Sequence, residues 1–249
     1  MNYFILIILN IYFYVGFLVC SIIVIPALTA FVFFLSLFLT ERTVMRRFRR
    51  AISWYGKCMT LIPFPFIKIR YENHGGNNAD GSFVFVCNHR ATTDAFLMSV
   101  LPHEAVQVVN LWPFKIPVLG YFARLAGYLN IRMMSHELFL EKALKLLNEK
   151  VSIIFFPEGT RSGKKEMGSF HGSAFRLALQ SKATIVPLCI VGNENTPPKG
   201  SWLMRPGLIR VRRLPAIQWH EYKGMNVFSL KNSVREIINN ELAVMESEI

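Results

Sequence analysis

Residues 1–40 carry no charged side chain, and no other stretch limits the possible folds so strongly. From Tyr3 to Leu39 the run is apolar apart from Asn10, Ser21, Thr29 and Ser36. A straight helix over it would be about 55 Å long, against a bilayer hydrocarbon core of about 30 Å. One simple crossing is too short for it. The length predicts either two helices in a hairpin turning between Gly16 and Pro26, or one steeply tilted or interfacial helix broken at Pro26. A cleaved signal peptide is not expected, because there is no basic leader and the apolar run is too long. Arg42, Arg46, Arg47, Arg49, Arg50 and Lys57 follow at once. Cations beside an apolar helix stay on the cytoplasmic side and attract anionic lipid. Residues 1–59 therefore read as a membrane anchor with a basic juxtamembrane segment, and Pro63-Phe64-Pro65-Phe66 marks the start of a soluble domain.

The whole chain has 249 residues, a formal net charge of +12 and 52% hydrophobic residues. Basic and apolar together point to a membrane surface. No nucleic-acid partner is expected, since no binding motif for one is present. Cys20, Cys58, Cys87 and Cys189 are widely separated and lack metal-ligand spacing, so reduced thiols are expected rather than disulfides or a metal site.

Beyond residue 66 short strands alternate with helices. Strands are predicted over Ile67–Glu72, Ser82–Cys87, Ala105–Val109, Tyr128–Ile131, Val151–Phe156, Thr184–Val191 and Leu208–Arg213. Helices are predicted over Thr93–Leu101, capped by Thr92 or Thr93, over Ile116–Ala126, over His136–Glu149 capped by Ser135, and over Ser173–Gln180. Turns or loops are predicted over Asn73–Asp80 and Gly192–Gly200. An amphipathic C-terminal helix is predicted over Ser229–Met245, with Leu230, Val234, Ile237, Ile238 and Leu242 on one face. The pattern implies an α/β domain at 60–225, with a mixed, largely parallel sheet flanked by helices, followed by the helical segment 226–249.

Two polar segments each follow an apolar strand. The first is Asn88-His89-Arg90-Ala91-Thr92-Thr93-Asp94. His89 is a candidate general base at neutral pH, and Asp94 is the kind of residue that fixes an imidazole tautomer. The second is Phe156-Pro157-Glu158-Gly159-Thr160-Arg161-Ser162. Taken alone, His89 reads more readily as a turn or core histidine, and Arg161 as a solvated charge. Trp112, Trp202 and Trp219 read as packing or interfacial residues, and His103, His136 and His220 have no motif support.

Together these segments resemble the PlsC-type glycerolipid acyltransferases, which include the 1-acyl-glycerol-3-phosphate acyltransferases. The resemblance runs over roughly residues 60 to 220. Asn88-His89-x4-Asp94 is similar to the family's first motif, and Phe156 to Ser162 to its third. Ile185-Val186-Pro187-Leu188 resembles the fourth, while Ile116-Pro117-x-x-Gly120 and Gly127-Tyr128-Leu129 resemble parts of the second region. The resemblance implies the glycerol-3-phosphate acyltransferase-like fold. It also implies transfer of an acyl chain from acyl-CoA or acyl-carrier protein to a lysolipid hydroxyl, with no cofactor, no metal and no covalent enzyme intermediate. In that setting His89 is the general base and Asp94 holds it. Arg161 grips an acceptor phosphate. Gly159 and Thr160 let the backbone approach and offer N–H groups. Glu158 is open between ordering the loop, through Arg161 or a nearby base, and contacting the acceptor. Pro187 sets the end of a strand beside the site.

The chain departs from the family pattern in the second region. Asn110 stands where many relatives have lysine, Arg132 comes one residue early, and His171 follows Phe170 where a lysine is common. A phosphate monoester is expensive to bury without matched cations. The acceptor site is therefore expected to be less cationic than that of a typical lysophosphatidate enzyme, with Arg132, Arg124 or Lys115 able to compensate. Another lysolipid, with a head group or an amino function, is the alternative acceptor. A lipid-binding protein without turnover is a different class, and a metal hydrolase using His89, Asp94 and His171 is a further one without familiar ligand spacing.

Overall fold

The computed structural model describes residues 3–76, 81–109, 119–162, 166–198 and 200–248. The expectations that rest on Asn77, Asn78, Asn110, Trp112, Lys115, Ile116 and Pro117 lie outside these residues.

The N-terminal run forms one helix, α1 (Tyr3–Ser36), which continues through Pro26. Neither the hairpin within it nor the break at Pro26 is present. The chain turns at 37–40 instead, and the basic segment forms a second helix, α2 (Glu41–Leu61), packed back along α1. Proline removes one helical hydrogen bond, a local loss that flanking contacts can offset. Here Ile25 packs on Tyr55 and Met59, and the Ser21 hydroxyl meets the Tyr55 hydroxyl at 2.8 Å. Gly16 lets the helices close up, because a Cβ there would lie 3.0 Å from the Ile62 side chain.

The strands are β1 (Ile67–Asn73), β2 (Phe83–Cys87), β3 (Ala105–Val109), β4 (Leu129–Asn130), β5 (Ser152–Phe155), β6 (Thr184–Val191) and β7 (Gly207–Arg213). Among the described residues they form one seven-stranded sheet in the order β1-β7-β6-β2-β5-β3-β4. Every neighbouring pair is parallel except β6 with β7. The remaining helices are α3 (Asp94–Met98), α4 (Leu119–Leu125), α5 (His136–Asn148), α6 (Ser173–Ser181), α7 (Trp219–Tyr222) and α8 (Val227–Ser247).

All five residues of β2 are buried, as a central parallel strand covered on both faces requires. Val84, Val86, Ile153, Phe155 and Ile185 meet α5, α6 and α8 on one face. Phe83, Phe85, Cys87, Ile154 and Val186 point to the other, where the helix α3 is short. Leu9 and Phe13 of α1 complete that second layer. Burying two such side chains contributes about 1.5–3 kcal/mol each. The N-terminal helix is thus part of the core as well as a candidate anchor.

The amide of Asn10 fixes this docking by pairing with both backbone groups of Met204, at 2.9 and 2.8 Å. The juxtamembrane cations divide into two sets. Arg46, Arg47, Arg50 and Lys57 are exposed, but Arg49 is buried against the Ala126 carbonyl and Glu104, and Arg42 chelates Glu104. Arg42 and Arg49 are seven residues apart, so helical periodicity turns both inward and removes them from the set available to lipid.

Cys87 and Cys189 are buried free thiols, and burial pushes both well above the ordinary thiol range. Pro187 lies within β6 rather than at its end. Its missing N–H is tolerated because pairing with β7 begins at Leu188.

Candidate active site

Three neighbouring parallel strands, β6, β2 and β5, end at one edge of the sheet, where α/β folds gather ligand-binding loops. Asn88 fixes the way the chain leaves β2. Its side chain accepts from the Ile190 N–H at 2.8 Å and donates to the Ile190 carbonyl at 2.9 Å. This fills the gap to β6 and aims the next residue outward.

That residue is His89, whose ring is about one-fifth exposed and lies against Phe156 with centroids 4.5 Å apart. His89 Nδ1 meets Asp94 Oδ2 at 2.7 Å. Asp94 is fully buried and heads α3. The same carboxylate oxygen accepts from the N–H groups of Arg90 and Ala91 at 2.8 and 3.0 Å. Its other oxygen accepts from the Asn193 amide. An acceptor so fully occupied holds the Nδ1–H tautomer and leaves Nε2 as the basic nitrogen. Among the described residues Nε2 has no hydrogen-bond partner.

Helix α3 is shorter than expected, and neither threonine side chain caps it. Thr93 meets Thr196, and Thr92 accepts from Arg161 Nη1 at 2.7 Å. Both hydroxyls are drawn off by tertiary partners. Arg161 therefore joins the two motif loops.

Glu158 is buried and faces inward. One oxygen accepts the His89 N–H at 2.7 Å, and the other the Gly168 N–H at 2.8 Å. Burial raises its carboxyl above the usual range, against the lowering effect of those two N–H groups. With both oxygens occupied by main-chain donors, Glu158 organises the loops. Of the readings left open for Glu158, these contacts match loop ordering, through the main-chain N–H groups of His89 and Gly168.

Gly159 has φ +69, and a Cβ there would meet the His171 ring at 2.9 Å. Glycine is required twice over, by conformation and by contact. Gly159, Thr160 and His171 are exposed beside the motif, and the His171 N–H returns to the Pro157 carbonyl at 2.7 Å. Arg132 lies on a different segment. It is exposed in the turn after β4, three strand spacings from β2, or about 14 Å. Among the described residues no three His, Cys, Asp or Glu side chains form a metal-binding group.

Asn193 was not among the residues picked out from sequence. It is fully buried and is the side-chain donor that completes the seat of Asp94. The signal was slight: a polar residue just beyond the end of a buried strand.

The acyltransferase family model matches residues 68–191, which contain both motif loops. The 1-acyl-sn-glycerol-3-phosphate acyltransferase of Limnanthes alba is 28% identical over 197 residues, covering 69% of this chain and 70% of that protein. The enzyme of the same name from Escherichia coli K12 is 26% identical, with 76% of this chain and 78% of that protein covered. In fold, the chain is similar to the solved structure of the 1-acyl-sn-glycerophosphate acyltransferase PlsC from Thermotoga maritima. The TM-score is 0.79 at 22% identity, over 96% of this chain and 95% of that one. With the motif residues gathered at the carboxyl ends of β2 and β5 inside the matched segment, the chain belongs to the PlsC-type acyltransferase family.

Proposed function

We propose that this enzyme transfers an acyl chain from acyl-CoA or acyl-carrier protein to the free hydroxyl of 1-acyl-sn-glycerol-3-phosphate, giving phosphatidate. The observation that carries this is the 2.7 Å His89–Asp94 pair with Nε2 left open beside Arg161's loop. His89 Nε2 takes the proton of the acceptor hydroxyl as its oxygen attacks the thioester carbonyl. The C–S bond then breaks, and the imidazolium returns the proton to the leaving thiolate. Asp94 stabilises the imidazolium between these steps. Arg161 grips the acceptor phosphate with its planar fork of donors, having Thr92 as its partner before substrate arrives.

One observation favours the alternative acceptor, a lysolipid with a head group. The exposed imidazole of His171 stands beside the loop where a lysine is common. A panel of lysophosphatidate, head-group lysolipids and lyso-aminolipids, each with both donors, decides between them. Arg161→Ala is expected to reduce kcat/KM for lysophosphatidate by about 10- to 100-fold, the worth of one hydrogen bond to a charged group. An unchanged KM for lysophosphatidate in that variant, or equal turnover of uncharged acceptors, would remove phosphate recognition from Arg161.

The enzyme works at a membrane surface with α1 lying in the interface. Asn10 of α1 is tied to Met204, and Arg42, just beyond the other end of α1, is tied to Glu104. A helix held to the catalytic domain near both ends lies alongside it and is poorly placed for a perpendicular crossing. Its outward side exposes Phe4, Ile8, Ile11, Val15, Ile22 and Phe33, next to exposed Trp202 and Leu203. Arg46, Arg47, Arg50 and Lys57 supply the cations for anionic headgroups. A cysteine at position 3 (Tyr3→Cys), in an otherwise cysteine-free protein bound to sealed anionic vesicles, is expected to react with impermeant maleimide from the side of the catalytic domain. Labelling solely from the opposite side would establish a crossing instead.

A further inference from the structure

The C-terminal helix α8 lies outside the segment that the family model matches, yet it touches both loops of the site. Midway along it, Arg235 donates Nε to the Gly168 carbonyl and Nη2 to the Met167 carbonyl, both at 3.0 Å. Gly168 is the residue whose N–H holds one oxygen of Glu158. A Cβ on Gly168 would come within 3.1 Å of that oxygen, so this contact has little slack.

Near its end, α8 reaches the other loop. Glu246 accepts from Arg90 Nη2 at 2.6 Å. The Arg90 side chain is 2% exposed and also pairs with Glu194, the neighbour of the Asn193 that seats Asp94. Arg90's own N–H is a further donor to Asp94. Glu194 still balances the charge of this buried guanidinium when Glu246 is lost, but the charged acceptor that fixes Nη2 goes with it.

The composition of α8 fits this role. Carboxylates in the last turns of a helix oppose its dipole and are unfavourable by themselves. Glu241, Glu246 and Glu248 all lie at this end, and each is matched to an arginine of the catalytic domain: Glu246 to Arg90, Glu241 and Glu248 to Arg212. Leu230, Val234, Ile238, Leu242 and Met245 seat the helix in the core, and the paired acids lie on or beside that same stripe. Of these pairs, only the one between Glu246 and Arg90 reaches a loop of the site; those with Arg212 dock the helix on β7.

We infer that α8 is a brace with two separable jobs. Arg235 positions the Glu158–Gly168 loop that carries Arg161, and Glu246 with Arg90 positions the loop that carries His89 and Asp94. Arg90, Arg235 and Glu246 are positioning residues that act through others, and their kinetic consequence rests on the acyl transfer proposed above.

The test compares wild type, Arg235→Ala, Glu246→Gln and Glu241→Gln, the last removing an ion pair of the same helix that touches neither loop. Amide hydrogen exchange is read first. Arg235→Ala is expected to speed exchange in residues 157–170 and leave 88–94 protected, and Glu246→Gln to do the reverse. Kinetics follow, with His89→Ala as the inactive reference. Displacing a reacting group by about 1 Å can cost about 100-fold, so partial loosening by Glu246→Gln should lower kcat about tenfold at unchanged acceptor KM. Arg235→Ala should instead raise the acceptor KM by about tenfold, the lower end of what one hydrogen bond to a charged group is worth. If both variants loosen both loops alike, or match Glu241→Gln in exchange, α8 is ordinary packing and the brace is overturned. A split in exchange with no acyl transfer by wild type would uphold the brace and reject the proposed activity.

Discussion

Replacing His89 by alanine is expected to lower kcat by about 100- to 10,000-fold, the range that a positioned general base supplies, while the protein stays folded. The change is clean because the two roles of this residue are separate. The imidazole faces Asp94 and the open side of the site, whereas the main-chain N–H anchors Glu158 and survives the substitution. The ring is also partly exposed, so its removal leaves no closed cavity. Asp94 would be a poorer first target. Its oxygens serve Arg90, Ala91, Asn193 and His89 together, so any replacement strands several buried donors. The measurement is radiolabelled acyl transfer in detergent micelles beside a thermal melt. A His89→Ala protein that melts normally and retains a tenth of wild-type kcat would end the case for His89 as base.

Glu158→Ala is expected to reduce kcat about 100-fold and to destabilise the protein, without contact between Glu158 and substrate. The substitution removes two part-buried hydrogen bonds from the N–H groups of His89 and Gly168 to a carboxylate, each worth up to about 1.5–3 kcal/mol, and at the exposed Gly168 water can replace the acceptor. The net loss should fall below the sum of the two, because burial already disfavours the ionised carboxylate that is removed. Glutamine is no safe substitute. One of its two terminal atoms is an NH2 group, which would face a main-chain donor. Kinetics on lysophosphatidate with a denaturant melt check this. A variant of normal stability that changes acceptor KM alone would place Glu158 among the substrate contacts.

The strands and most helices could be read from the chain because their signals are local. Alternating or continuous apolar runs marked all seven strands to within a residue or two, and Ser135 caps α5 as its position suggested, accepting from the Leu138 N–H. His89, Asp94 and the Phe156–Ser162 segment could be picked out for the same reason: each is a short motif directly after a strand. The partners of these residues could not. Asn193 stands 99 positions from Asp94, Glu246 is 156 from Arg90, and Arg235 is 67 from Gly168. No periodicity or spacing links residues so far apart. Glu158 shows the same limit from the other side, since its identity was plain in the motif while its inward direction was not.

The amino-acid sequence by itself determined that a long uncharged helical segment would precede an α/β domain, though not that it would be one unbroken helix, and which two loops would carry polar chemistry at strand ends. Those outcomes follow from side-chain period and turn chemistry, which act over a few residues. Tertiary structure decided the rest. The short α3 leaves one sheet face uncovered, so Leu9 and Phe13 of α1 are drawn into the core and Arg42 and Arg49 turn inward with α2. Desolvation of Asp94, Glu158 and Arg90 then demands partners from wherever the chain passes, and here it passes at Asn193, Gly168 and Glu246. A buried polar group must be matched in three dimensions, and only the fold determines which residues stand near enough to match it.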